Sequence, residues 1–269
     1  MTIPTNPAAL SSLAPGCLDG RSALVTGGGS GIGRATAVLL AKLGARVAVT
    51  GRRAEELQVT ADVAAEQGAS LPVLTVPCDI REPENVDAML DVVLQSHGFI
   101  DVLVNNAGGQ FMAPGEDISY NGFRAVTRLN LDATWYVTTQ VASRSMIPGK
   151  YGKVVSITMT PRRGIPGMSH SSAARAGVES FTRTLSAEWG KYGIRLAAIA
   201  PGIVHTAAWE RYGLDPDAIA KAMPVGRLQA ADDVAAVAAF LISPGGDYIT
   251  GSTIVADGGF ENVYPLTSL

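Results

Sequence analysis

Thr26-Gly27-Gly28-Gly29-Ser30-Gly31-Ile32-Gly33 stands between the apolar run Ser22-Ala23-Leu24-Val25-Thr26 and a segment of helical periodicity from Ile32 to Leu43. A run that is apolar without alternation reads as a strand buried on both faces. Glycines at its end let the backbone turn tightly into the helix. The helix start then offers unpaired N–H groups and the positive end of its dipole, which together suit a pyrophosphate. The spacing is G-x-x-x-G-x-G rather than G-x-G-x-x-G. Gly27, Gly29, Ser30, Gly31, Ile32 and Gly33 are the expected phosphate-binding residues.

Outward from this turn, apolar strands alternate with helical patterns to the end of the chain. Strands are expected at 46–50, 72–77, 102–104, 153–157, 195–200 and 252–256. Helices are expected at about 54–67, 84–96, 121–146, 171–191, 209–222 and 230–241. Continuously apolar strands separated by helices mean a parallel sheet covered on both sides. The expectation is an α/β fold: a single doubly wound Rossmann-like domain, with a seven-stranded parallel sheet and helices on both faces. It should span residues 19–260, after a loose segment 1–18 and before a tail 261–269, with a substrate lid at about 205–224.

Composition narrows the partners. Acids outnumber bases 24 to 21, so no basic face for nucleic acid is indicated. Two cysteines exclude a disulfide framework, and three scattered histidines give no metal-ligand spacing. No segment approaches the roughly 20 apolar residues of a membrane span, and Met1 to Pro15 lacks the pattern of a signal peptide. The end Thr267-Ser268-Leu269 is close to a Ser-Lys-Leu peroxisomal address but lacks its basic residue. A cytoplasmic protein acting on a small molecule is expected.

The second strand ends Val49-Thr50-Gly51-Arg52-Arg53. A carboxylate there would grip a ribose 2′-hydroxyl. Gly51 instead leaves room for a 2′-phosphate, and Arg52 with Arg53 supplies cations to hold it, which predicts NADPH as the cofactor.

Four further motifs follow in order: Cys78-Asp79-Ile80, Asn105-Asn106-Ala107-Gly108, Pro201-Gly202-Ile203-Val204 and Asp257-Gly258-Gly259. With the glycine turn they resemble the short-chain dehydrogenase/reductase family over about residues 19–260. The resemblance implies that Asp79 and Ile80 lie against the adenine and that Asn106, Ala107 and Gly108 line the cofactor ribose. It implies that Pro201, Gly202, Ile203 and Thr206 hold the nicotinamide end. It also implies a homotetramer that pairs the long helices near 121–146 and 171–191, with Trp135 and Trp189 in core or subunit contact.

One segment departs from the family pattern of a serine followed by Tyr-x-x-x-Lys. Ser171 stands in the tyrosine position, Arg175 in the lysine position, and Thr158 (or Met159, if the loop shifts by one) in the serine position, whereas Asn130 matches. A serine hydroxyl is a far poorer acid than a phenol, and arginine does not relay protons. His170-Ser171-x-Ala173-Ala174-Arg175-Ala176-Gly177-Val178 is similar to the peroxisomal trans-2-enoyl-CoA reductase branch, which also carries Ser and Arg there. Ala187 to Gly193 resembles the 2,4-dienoyl-CoA reductase branch, although Thr160 occupies the place of that branch's tyrosine.

The expected activity is NADPH-dependent reduction of the C=C bond of an enoyl thioester, with Ser171, Arg175, Thr158, Asn130 and Tyr212 as catalytic candidates. Rival functions are a ketoreductase or alcohol dehydrogenase with an atypical acid, and an NADP-binding scaffold without turnover. Arg162 and Arg163 read as a solvated loop pair that could meet a CoA phosphate, and His170 as a packing or helix-start residue.

Overall fold

Strand β1 (Ser22–Thr26) is buried along its whole length, because it lies at the middle of a sheet covered from both sides. The computed structural model describes residues 13–205 and 215–263. Residues 206–214 of the expected lid, Thr206 and Tyr212 among them, therefore lie outside the described residues. Around β1 run β2 (Arg46–Gly51), β3 (Leu74–Pro77), β4 (Val102–Asn105), β5 (Gly152–Ile157), β6 (Ile194–Pro201) and β7 (Ser252–Ala256). They form one seven-stranded sheet in the order β3-β2-β1-β4-β5-β6-β7, and every adjacent pair is parallel. The order reverses between β1 and β4, which opens a crevice at the carboxyl ends of those strands.

Alternate residues of each strand serve two cores. Ala23, Val25, Val47 and Val49 pack under α1 (Gly31–Lys42), α2 (Ala54–Glu66) and α9 (Ala231–Ile242). Leu24, Ala48, Leu103 and Leu196 pack on the other face, under α3 (Pro83–His97), α5 (Ala133–Val141) and α7 (Ser169–Trp189). This two-sided burial is why the strands are continuously apolar. At the end of the N-terminal segment Leu18 is already in the core, its N–H donating to the Leu43 carbonyl at 3.0 Å. Among the described residues no helix is long and apolar enough to cross a membrane.

The helix expected over 121–146 is one continuous path with two irregular turns. It comprises α4 (Tyr120–Thr127), a π-helical turn Arg128–Asp132, α5, a second π-helical turn Ala142–Met146 and α6 (Ile147–Gly149). Such turns cluster where a side chain must be aimed at a site, and Asn130 sits in the first of them. The expected strand from Pro72 begins two residues later, at Leu74. In the lid region the described helix is α8 (Pro216–Ala222). A short helix α10 (Phe260–Val263) starts where the sequence suggests a tail.

Candidate active site

The glycine turn is built from backbone held at close range. Asn106 donates from Nδ2 to the carbonyls of Thr26 and Gly27, both at 3.1 Å. The Thr26 hydroxyl oxygen accepts from the N–H groups of Asn106 and Ala107, both at 3.1 Å. A Cβ on Gly33 would lie 2.2 Å from the Gly27 carbonyl oxygen and 2.4 Å from Asn106 Nδ2, so only glycine fits where the helix start passes the turn. Beneath it, Thr60 Oγ1 donates to the Gly28 carbonyl at 2.8 Å, and Arg34 holds the Gly29 carbonyl and Glu56. The family resemblance puts Asn106 on the ribose. In the structure its amide fastens the phosphate turn to the end of β4.

At the end of β2, Arg52 and Arg53 are exposed. Arg53 approaches Glu56 at 3.9 Å, whereas Arg52 makes no ion pair among the described residues. The Asp79 carboxyl is held below its usual range, first by its hydrogen bonds from Arg81 and lastly by the field of Arg52. Arg52 is therefore near enough for its charge to be felt at Asp79. Arg81 forks onto Asp79, donating from Nε to Oδ1 at 2.9 Å. Ile80 lies in the core. Asp79 is thus a paired carboxylate on this side of the crevice.

Ser171 and Arg175 sit one turn apart near the start of α7, and both are buried. Arg175 donates from one guanidinium nitrogen to the Ile157 carbonyl at 2.6 Å and forms no ion pair among the described residues. Burial pushes its pKa down to about 10, which still leaves a cation at neutral pH. Gly108 passes beside it: a Cβ there would meet the guanidinium at 2.2 Å and Asn130 Oδ1 at 2.8 Å. Asn130, wholly buried, grips the Gly109 backbone in both directions, accepting from its N–H at 3.0 Å and donating to its carbonyl at 2.8 Å. Its amide shapes the loop after β4.

Thr158 follows β5 and is buried. Its hydroxyl turns away from Ser171, donating to the Ile199 carbonyl at 3.1 Å and facing Glu179 Oε1 at 3.4 Å. The neighbour that meets Ser171 is Met159, its sulfur 3.7 Å from Ser171 Oγ. The Ser171 hydroxyl also donates to Gln110 Oε1 at 3.4 Å. Thr160 donates to the Pro201 carbonyl at 3.0 Å and is buried. Arg162 pairs with Glu261 at 3.3 Å, which ties that loop to α10.

Pro201 to Ile203 follow β6 at the same end of the sheet. The sequence reading missed their clamp, Gln229, whose Oε1 accepts from the Gly202 N–H at 2.9 Å while its amide donates to the Ala256 carbonyl at 2.6 Å. Gln110 was likewise given no role by sequence. Gln110 belongs to the run Asn105 to Phe111 that resembles the enoyl-CoA reductase branch, whereas Gln229 belongs to no recognisable spacing and only its place in space reveals it.

A glycine turn under a helix start, a crevice where the strand order reverses and a buried cation beside the loop after β4 define a dinucleotide-binding oxidoreductase. The family model described as Enoyl-(Acyl carrier protein) reductase matches residues 27–261. The chain belongs to the short-chain dehydrogenase/reductase family, whose members bind a nicotinamide cofactor. It is 39% identical, over 92% of its length and 100% of the relative's, to a protein of Bacillus subtilis strain 168 named as a probable 2,4-dienoyl-CoA reductase, (2E)-enoyl-CoA-producing. A solved structure of the citronellol catabolism dehydrogenase AtuB of Pseudomonas aeruginosa PAO1 is 42% identical with a TM-score of 0.83, covering 92% of this chain and 98% of that one. The actinorhodin polyketide ketoreductase, solved with NADPH, is 32% identical with a TM-score of 0.85, covering 90% and 97%.

Proposed function

We propose that the protein reduces the C=C bond of an α,β-unsaturated acyl thioester such as an enoyl-CoA. The observation that carries this reading is the Ser171–Arg175 pair, buried where the family places its phenol and ammonium. Reduction of a ketone needs a proton delivered to an alkoxide. Hydride added to the β-carbon of an enoyl thioester gives an enolate, whose charge needs hydrogen-bond donors and whose α-carbon can take its proton from water. Ser171 supplies such a donor, and Arg175 holds the cofactor ribose. The similarity to a 2,4-dienoyl-CoA reductase supports the thioester, and the similarity to a ketoreductase keeps the carbonyl reading as the alternative. Cofactor absorbance followed with enoyl-CoAs, dienoyl-CoAs, ketones and quinones side by side tests it. Turnover of ketones alone refutes it, and turnover of none favours a scaffold.

The cofactor we propose is NADPH. Arg52 lies at the end of β2, its charge felt at Asp79, with no ion pair of its own among the described residues, which suits a 2′-phosphate. Fluorescence titration should show tighter binding of NADPH than of NADH, and Arg52→Asp should erase or reverse the preference. Equal affinities for the two cofactors in the unmodified protein would remove Arg52 from this role.

We further propose a homotetramer. Arg124, Arg128, Leu131, Trp135 and Phe181 line an open groove of about 610 Å³ on the outer face of α4, α5 and α7. Trp135 is 48% exposed there, an unusual position for so large an apolar ring unless another surface covers it. Light scattering at micromolar protein should give four times the chain mass, and a monomeric mass would defeat the proposal.

A further inference from the structure

His170 is the residue that the proposed function leaves unused. It precedes Ser171 in the first turn of α7 and is completely buried. Its ring nitrogens differ sharply. Nδ1 accepts from the Ser171 N–H at 2.7 Å, one of the donors that a helix start leaves unpaired. Nε2 is buried with no hydrogen-bond partner among the described residues. With Nδ1 occupied as an acceptor, the neutral ring carries its proton on Nε2. Burial holds the ring's pKa below the usual imidazole value, against a smaller upward pull from the Met168 carbonyl. The positive end of the α7 dipole acts in the same direction as burial. The result is a neutral imidazole whose Nε2 is unpartnered among the described residues.

A buried donor left without a partner is rare in folded proteins and calls for a physical reason. The surroundings supply one. The Phe111 ring meets His170 edge-on with 4.4 Å between centroids, and the adjacent Gln110 meets the Ser171 hydroxyl. Both belong to the loop after β4 that Asn130 shapes, and Phe111 and Met112 of that loop are 39% and 54% exposed. An apolar acyl chain entering between this loop and the start of α7 would displace the Phe111 ring from His170. Its carbonyl would then meet two consecutive residues, each offering a hydrogen.

We propose that His170 is a catalytic residue, donating a hydrogen bond from Nε2 to the substrate oxygen on which negative charge develops. The inference rests on the proposed function only for the identity of that oxygen. As hydride reaches the β-carbon, the C=C pair moves toward the carbonyl and the thioester oxygen becomes an enolate oxygen. His170 stabilises it and keeps its proton. The α-carbon is protonated by water, so the ring is unchanged after turnover. A neutral imidazole at a helix start is a strong enough donor for such a role. It stands beside the position from which the family's phenol is missing.

The test compares His170→Phe, His170→Gln and His170→Asn in the full chain. Phe keeps the ring's shape and removes both nitrogens, the Gln amide reaches the Nε2 position, and the Asn amide reaches only Nδ1. His170→Phe should lower kcat by roughly 10²–10³, as removal of an oxyanion donor does, with NADPH affinity unchanged; the fall in melting temperature from the lost Nδ1 acceptor should be shared by Gln and absent in Asn. Gln should recover at least about tenfold of that loss and Asn should not. A His170→Phe enzyme within about threefold of the unmodified one, or rescue by Asn rather than Gln, overturns the proposal.

Should ketones prove to be the substrates, the thioester reading fails while the same series, read on the ketone, still decides the role of His170. Should the Phe variant not fold, nitrogen-15 NMR of the unmodified protein with NADP and hexanoyl-CoA decides it. An Nε2-protonated tautomer whose signal moves on adding hexanoyl-CoA supports the donor role. A proton on Nδ1, or a signal that does not move, overturns it.

Discussion

Gly33→Ala is expected to abolish cofactor binding and to lower the melting temperature together. The added Cβ would stand 2.2 Å from the Gly27 carbonyl oxygen and 2.9 Å from its carbon, and both are backbone atoms that no rotamer change can clear. Relief requires Gly27 to move off the helix start, which breaks the Asn106 bonds that set the turn. Overpacking of this kind costs about 1–3 kcal/mol, or a fall of about 2–12 °C in Tm for a chain of this size. Affinity for NADPH should fall by more than about tenfold, because the helix N–H groups lose their aim at the phosphates. Gly115→Ala is the control, since a Cβ there meets nothing within 4 Å, and it should change neither quantity. Thermal melts and cofactor titration of the two variants check this, and a Gly33→Ala protein that binds NADPH normally would show that the turn is not the phosphate site.

The fold was legible because burial on both faces writes itself directly into the strands. Ala23 and Val25 serve one core and Leu24 the other, so no polar residue could interrupt the run. Less of the long helix was legible. Periodicity marked a helix over 121–146, but the π-helical turns at Arg128–Asp132 and Ala142–Met146 have no signature in apolar spacing. At the first of these turns the amide of Asn130 is committed to the Gly109 backbone.

The site was legible as a set of positions and much less as a set of roles. The glycine turn, the Ser171–Arg175 pair and the loops after β4 and β6 do converge on one end of the sheet. What each side chain does depends on neighbours distant in sequence. Thr158 was a reasonable serine substitute by spacing, yet one residue of register decides whether Thr158 or Met159 faces Ser171, and the choice is made by the Ile199 carbonyl on the next strand. Asn106 and Asp79 likewise stand in their family places with their polar atoms engaged by Gly27 and Arg81. Gln229 holds Gly202 and Ala256 from 27 residues away along the chain in each direction, a clamp that no short motif could encode.

Arg175→Met is expected to separate function from stability. In the folded chain burial lowers the guanidinium pKa to about 10, so the folded state binds this proton less tightly than the unfolded state does. Stability therefore rises as pH climbs above about 10, and below that the folded protein carries the full penalty of the buried cation, about 3 kcal/mol. Replacement by methionine removes that penalty but strips the Ile157 carbonyl of its donor, which costs about 1–3 kcal/mol. The two effects nearly cancel. Apo-protein stability should therefore change little, in contrast to the loss of about 3–5 kcal/mol seen when one partner of a buried ion pair is removed. Cofactor binding should respond very differently, because a cation whose one hydrogen-bond partner among the described residues is the Ile157 carbonyl is the group best placed to hold a ribose hydroxyl. NADPH affinity should drop by about 10- to 150-fold, equivalent to about 1.5–3 kcal/mol, and the rise in Tm on adding NADPH should shrink accordingly. Melts with and without NADPH measure both. A large loss of apo stability would mean that Arg175 has an anionic partner after all, and unchanged NADPH affinity would remove it from the cofactor site and leave its burial without a purpose.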